Sequence, residues 1–170
     1  LRLLTAQQFQ RASSLIAACD FIRRDKTELL GSNDNRISIG LWVGGTVSPN
    51  SRKIAVENYS DLMNTNKIQS TDNLLVVTKC PWCSAEMGKT YVKVHNSNTK
   101  KHRCLSYKKV SAGRGSRIAY LCKNKQCQFS TIELPVYVVD DDIYDYKPTL
   151  LIGTVDKFAQ LPWGNDIRAV

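Results

Sequence analysis

The period of the apolar positions changes several times along the chain. Residues 1–4, "LRLL", read as the end of a buried strand, and residues 5–8, "TAQQ", fit a helix capping box, a hydroxyl followed three residues later by Gln. Phe9, Ala12, Ser13, Ile16 and Ala17 then recur at helical spacing, which predicts a helix to about Arg24. After a polar loop at residues 31–35, the stretch "RISIGLWV" (36–43) is rich in β-branched and aromatic residues and predicts a strand ending at Gly44-Gly45. Ser48 as N-cap and Pro49 in the first helical position predict a second helix, whose periodic face is Ile54, Ala55, Asn58, Tyr59 and Leu62. Strand, helix, strand, helix in this order favours a parallel sheet with right-handed crossovers.

The texture shifts at Leu74. Residues 74–78 read as a strand leading into Cys80, followed by short strands at 90–95 and 117–121 with a Lys/Asn/Ser-rich loop between them. "LPVYVV" (134–139) is a further strand, trailed by Asp140-Asp141-Asp142. The α/β texture returns after Pro148, where the apolar Leu150-Leu151-Ile152 meets a Gly153-Thr154 corner and then a helical pattern. The expected fold is therefore α/β, with a sheet domain of residues 1–78 and 130–170 interrupted at 79–129 by a small β-rich module. The chain opens without Met in what reads as mid-strand, which suggests a piece of something longer.

Composition refines this. An apolar fraction of 42% and a charged fraction of 23% are those of an ordinary globular protein. No apolar run reaches the length of a membrane span and the amino terminus does not resemble a secretory signal, so a cytoplasmic chain with no membrane partner is expected. The net charge of +9 is unevenly spread: residues 79–125 hold twelve Lys or Arg and a single acid, Glu86, while the remainder is slightly acidic. So one-sided a block is either a solvated lysine-rich surface or a face for a polyanion, of which nucleic acid is the usual one.

Four of the six cysteines fall in two close pairs inside that block, Cys80-Pro-Trp-Cys83 and Cys122-Lys-Asn-Lys-Gln-Cys127. Two such hairpins offer four thiolates to a tetrahedral Zn²⁺, a closed and structural site rather than a catalytic one. The second gap is wider than the commonest two residues, so Cys104, His95 and His102 stand as substitute ligands. A thioredoxin-type redox pair is the competing reading of Cys80-Pro-Trp-Cys83, but that motif belongs at a helix start in a βαβ unit, and here a basic β-rich tract follows. Cys19 reads as an inert helix residue. With zinc bound the module stays strongly basic, and Tyr91, Tyr107 and Tyr120 are either packing residues or surfaces on which bases stack.

Three predicted corners, Thr5-Ala6-Gln7-Gln8, Gly44-Gly45-Thr46 and Gly153-Thr154, offer backbone N–H groups and a hydroxyl at a strand end, the chemistry that holds phosphate. Taken in order, these stretches resemble the first RecA-like domain of a superfamily 2 helicase. "LRLLTAQQFQRA" stands where that family has its motif Ia, and "LWVGGTVSP" resembles its strand followed by a Gly-Gly motif. "LLIGTVDKFAQL" resembles its Thr-Pro-Gly-Arg segment, with Val155-Asp156-Lys157 in place of Pro-Gly-Arg. More closely, "LRLLTAQQFQRA", "CPWC", "LPVYVVDDDIYDYKP" and "LLIGTVDKFAQLPW" are similar to the helicases of the bacterial phage-defence system DISARM, over most of the chain. The resemblance implies a partial RecA-like sheet with a zinc-ribbon insertion. It implies a grip on one DNA strand through Thr5, Gln8, Gly44, Gly45, Gly153, Thr154 and Lys157, and defence-system proteins as further partners.

The departures shape the expected function. Nothing matches the Walker A pattern, and "EMGKT" (86–90) lacks its first Gly and follows a cysteine hairpin rather than a buried strand. "VVDDDIYDY" precedes the Gly-Thr corner, whereas the family's Asp-Glu motif follows it, so the triple Asp reads as a capped, solvated turn. The expectation is a fragment of an ATP-dependent DNA helicase or translocase, inactive alone, whose ATP and Mg²⁺ site lies elsewhere in the parent. The alternatives are a stand-alone zinc-ribbon protein that binds nucleic acid without a motor, and an interaction module whose basic face meets an acidic protein.

Overall fold

The computed structural model describes residues 2–30, 36–93, 100–113 and 115–159. Helix α1 spans Arg2–Asp25 and is followed by the single turn α2, Thr27–Leu30. The described residues 2–4 are helical where a strand end was expected, and Thr5 lies inside the helix rather than capping it. The physical reason is propensity: Arg, Leu, Ala and Gln are all good helix formers, so nothing stops the helix from propagating back through a single Thr. Phe9, Ser13, Ile16, Ala17 and Asp20 form its buried face. The polar loop at 31–35 lies outside the described residues.

The sheet is small and parallel, in the order β6–β1–β7, with β1 at Ile39–Trp42, β6 at Val136–Tyr137 and β7 at Leu150–Gly153. All four residues of β1 are buried, as expected of a central parallel strand covered on both faces. Its register pairs Gly40 with Tyr137 on one side, and runs from Ile39 opposite Leu150 to Trp42 opposite Gly153 on the other. Helix α3, Arg52–Met63, starts three residues later than expected. Ser51 is the N-cap, its side chain accepting from the Ile54 amide at 3.4 Å. Ser48 and Pro49 are buried in the turn leaving β1, and the Pro49 carbonyl accepts from the Asp140 amide at 3.3 Å.

Residues 74–78 are not a strand. Val76 has a φ of 46°, and the Val77 amide bonds the Leu75 carbonyl at 2.6 Å, so the chain kinks where alternation suggested extension. Two phenols hold the kink: Tyr107 donates to the Val77 carbonyl at 2.9 Å and Tyr120 to that of Leu75 at 3.3 Å. Beyond it come two antiparallel ribbons, β2 (Gly88–Lys93) with β3 (Lys100–Leu105), and β4 (Tyr107–Ala112) with β5 (Gly115–Tyr120). The lysine-rich tract thus contains two strands that its polarity concealed. A two-stranded ribbon exposes most of its side chains, so its strands need no apolar alternation.

One continuous core joins the sheet to this module. Phe9, Ile16, Leu41, Leu75, Val77, Ile118, Tyr120, Phe129 and Leu134 belong to a single buried cluster. A charged node reinforces it: fully buried Asp20 of α1 meets Arg23 and Arg36 at 3.1 Å and Arg24 at 3.3 Å. Arg36 also donates to the Glu133 carbonyl at 2.6 Å, fastening α1 to the approach to β6.

The triple Asp corrects the sequence expectation. It forms the first turn of α4, Asp140–Tyr146, where carboxylates favour the helix dipole, and it is not solvated. Asp140 and Asp142 are buried. Arg52 of α3 binds Asp142 at 2.7 Å and Asp145 at 2.6 Å, and the Arg52 amide donates to Asp141 at 2.9 Å. On the other side Asp140 meets Lys157 of α5, Val155–Phe158, at 2.5 Å. Cations from two neighbouring helices make burial of the acids tolerable.

Candidate metal centre and strand-end rim

Two reverse turns build the cysteine site. In the first, the Ser84 amide donates to the Cys80 carbonyl at 2.9 Å, Ser84 adopts a φ of 61°, and the Cys80 amide donates to Ala85 at 2.8 Å. In the second, the Cys122 amide reaches the Phe129 carbonyl at 2.8 Å, the Cys127 amide bonds Asn124 at 2.9 Å, and the Asn124 side chain accepts from the Gln126 amide at 3.1 Å. The turns bring Cys80, Cys83, Cys122 and Cys127 together with all four Sγ atoms within 4.8 Å of one another. Cys80 and Cys127 sulfurs are 3.9 Å apart and those of Cys83 and Cys122 3.4 Å, far beyond a disulfide bond. Four sulfurs on a tetrahedron about Zn²⁺ at ~2.3 Å would stand ~3.8 Å apart, so the spacing fits that ion. The amides of Asn124 and Phe129 point at the Cys122 and Cys127 sulfurs, each at 3.4 Å, as donors that stabilise thiolates.

Protonation argues the same way. Burial pushes Cys80, Cys122 and Cys127 up to about 11. Burial opposes ionisation of Cys83 too, but hydrogen bonds from the Ala85 amide and the neighbouring thiols outweigh it and bring Cys83 down to about 7. One thiolate forms readily at neutral pH, and a full set of four requires a cation among them. Cys104 lies outside the cluster, packed at the edge of the core, where burial raises it to about 11. His102 stands against Tyr91 instead, and His95 lies outside the described residues. Trp82, between the first pair of cysteines, packs its ring 4.9 Å from Phe21 of α1 and 5.7 Å from Phe129, so the first turn braces the helix directly.

The second feature is the carboxyl rim of the sheet. Parallel pairing of Trp42 with Gly153 sets the ends of β1 and β7 side by side, and the Thr154 amide donates to the Trp42 carbonyl at 3.1 Å. Gly44, Gly45 and Thr46 are exposed, while Gly153 and Thr154 are half-buried. A Cβ on Gly153 would come within 2.8 Å of the Trp42 carbonyl and 3.0 Å of the Phe158 ring, so close strand pairing demands glycine there. Space around Gly44 is open, with nothing within 4 Å of a Cβ.

The remaining predicted contacts fall elsewhere. Thr5 and Gln8 occupy the opening turns of α1, not a strand-end corner, because the helix runs on through them. Lys157 turns inward: it is 9% exposed, pairs with Asp140, and lies 5.7 Å from the Trp42 ring. Burial raises Asp140 and Asp142 above the ordinary carboxyl range, and Lys157 and Arg52 respectively draw them back. The inward lysine had no signal in the sequence, since its partner lies seventeen residues earlier. Gly88-Lys89-Thr90 opens β2, and the Lys89 ammonium donates to the Gln69 and Thr71 carbonyls at 2.9 and 3.0 Å.

Together these features define a mixed α/β chain with a small parallel sheet, two antiparallel ribbons and a four-cysteine centre able to hold a metal. No protein-family model matches it. The chain is related in sequence to the DISARM protein DrmA of Bacillus paralicheniformis, with 34% identity over 171 aligned positions. The match takes in the whole of this chain and 14% of that relative. Among the described residues no helix is long and apolar enough to cross a membrane.

Proposed function

We propose that the chain is a strand-gripping segment of a nucleic-acid motor in phage defence, braced by a structural zinc module. The observation that carries this reading is the rim. Two glycine corners more than a hundred residues apart in sequence meet at adjacent strand ends of one parallel sheet, the edge where α/β folds receive ligands. The missing side chain at Gly44 leaves open space for a phosphate to approach the backbone closely, the Asn50 side chain lies against Gly45, and Thr154 supplies a hydroxyl nearby. The reading assigns the grip to Gly44, Gly45, Gly153 and Thr154. Lys157 acts as the counter-ion that holds α4 and α5 beside the rim, and Thr5 and Gln8 belong to α1. In this reading the sheet is part of a RecA-like domain, the polymer is DNA, and ATP with Mg²⁺ binds elsewhere in a longer parent.

The basic module favours a second reading, in which the zinc ribbon alone binds nucleic acid, because the excess positive charge lies there. Titration of single-stranded DNA against salt, read by fluorescence anisotropy, separates the two. Phosphate binding predicts an affinity that falls steeply with salt. Gly44→Asp, which adds a carboxylate in open space, should weaken binding about five-fold or more, and Thr154→Ala should weaken it by a similar factor. Loss only on Lys→Ala changes within 79–129 would favour the second reading, and no binding at low salt would dismiss both.

A further inference from the structure

The basic module holds three tyrosines within its ribbons, and the fold separates them. Tyr107 and Tyr120 are buried, edge to face with ring centroids 5.2 Å apart. Tyr91 is 65% exposed, the most exposed aromatic among the described residues. It stands in β2 directly opposite His102 of β3, the two rings 4.0 Å apart between centroids and inclined at 42°. The positions beside this pair in the register, Val92 with Lys101 and Thr90 with Arg103, alternate onto the opposite face of the ribbon, where both cations are exposed. Lys93 pairs with Lys100 one step further along. No acidic residue occurs between Glu86 and Glu133.

The ribbon is anchored at its base. Lys89, two residues before Tyr91 in β2, is tied to the Gln69 and Thr71 carbonyls at 2.9 and 3.0 Å. Tyr91 therefore sits on a held scaffold with its outer face in solvent, where it adds little to stability. An open aromatic face on a basic ribbon complements a polymer that carries both flat rings and negative charge.

We infer that Tyr91, backed by His102, is a stacking platform for a base of single-stranded nucleic acid on this basic ribbon. This inference rests on the nucleic-acid reading above and names a contact for it away from the sheet rim. Stacking accepts any base, since every base has a π-face, so the platform suits an enzyme that moves along arbitrary sequence. An acidic protein segment would satisfy the cations but offers no ring to Tyr91.

The test uses the full zinc-loaded chain with an oligothymidylate, an abasic oligomer of the same length, and polyglutamate, each over a range of salt. Tyr91→Ala should bind oligothymidylate about ten-fold more weakly with an unchanged salt slope, because stacking releases no counterions. Tyr91→Phe should bind like the parent. On the abasic oligomer Tyr91→Ala and the parent should be equal. Parent binding with an unaffected Tyr91→Ala would overturn the platform and leave the rim reading standing. Equal loss on both oligomers would reduce Tyr91 to a structural role, and tighter binding of polyglutamate than of oligothymidylate would make the partner an acidic protein. Failure of the parent itself to bind DNA at low salt would remove the broader reading and the platform together.

Discussion

At the scale of single residues, identity alone does not decide role: four of the six cysteines share one centre and two do not. Cys122 faces three other sulfurs and receives an amide hydrogen bond, whereas Cys104 borders apolar side chains. Cys122→Ser should therefore cut the metal content well below one zinc per chain and destabilise the fold by several kcal/mol, as loss of a structural zinc ligand does. Cys104→Ser should keep one zinc per chain and cost only about 1 kcal/mol, the scale of a small change at a core edge. Metal analysis of the purified variants, with thermal melts, checks both. Lys157 makes the same point about charge. The helicase resemblance implied a phosphate contact, but the ammonium is spent on Asp140, because a buried carboxylate is costly without a cation beside it.

Among the elements, boundaries moved where local and tertiary demands compete. Helix α1 runs back past its expected cap since its first residues all tolerate helix. Helix α3 starts late since Ser48 and Pro49 are needed in the turn beneath α4. The start of β2 depends on Gly88, which has a φ of 68°. A Cβ there would collide with the Tyr107 hydroxyl, the group that bonds both Asn73 and the Val77 carbonyl. Gly88→Ala combines left-handed strain with displacement of that phenol, and a loss of about 3 kcal/mol is expected in urea unfolding. A conservative change elsewhere in the ribbon, such as Val92→Thr, should cost less than half as much.

For the molecule as a whole, the shared core couples metal to fold. Phe129 lies two residues beyond Cys127 and joins the cluster containing Phe9 and Leu41, and Trp82 leans on Phe21. The four-cysteine centre is thus built into the wall of the sheet, closed by the Asp20 node and the two phenols. Removing zinc with a chelator should abolish far-UV circular dichroism and shift tryptophan fluorescence in one coincident transition. Retention of the helical signal while the fluorescence changes would mean that the sheet domain folds without the module.

What the sequence determined by itself is whatever depends on short-range spacing. Two cysteine hairpins in a basic tract are legible because a turn fixes how near two thiols come, and the buried run of β1 is legible because a central parallel strand must be apolar throughout. The α/β class followed from the alternation of such runs with helical periodicity. Tertiary structure alone decided the rest: that Gly44 and Thr154 meet at one rim, that the triple Asp is buried, that Lys157 looks inward, and that Tyr91 rather than Tyr107 or Tyr120 is open. Each of these depends on which distant segment supplies a counter-charge, a carbonyl or a cover. Such partners lie many residues apart, and only the folded chain brings them within hydrogen-bonding reach.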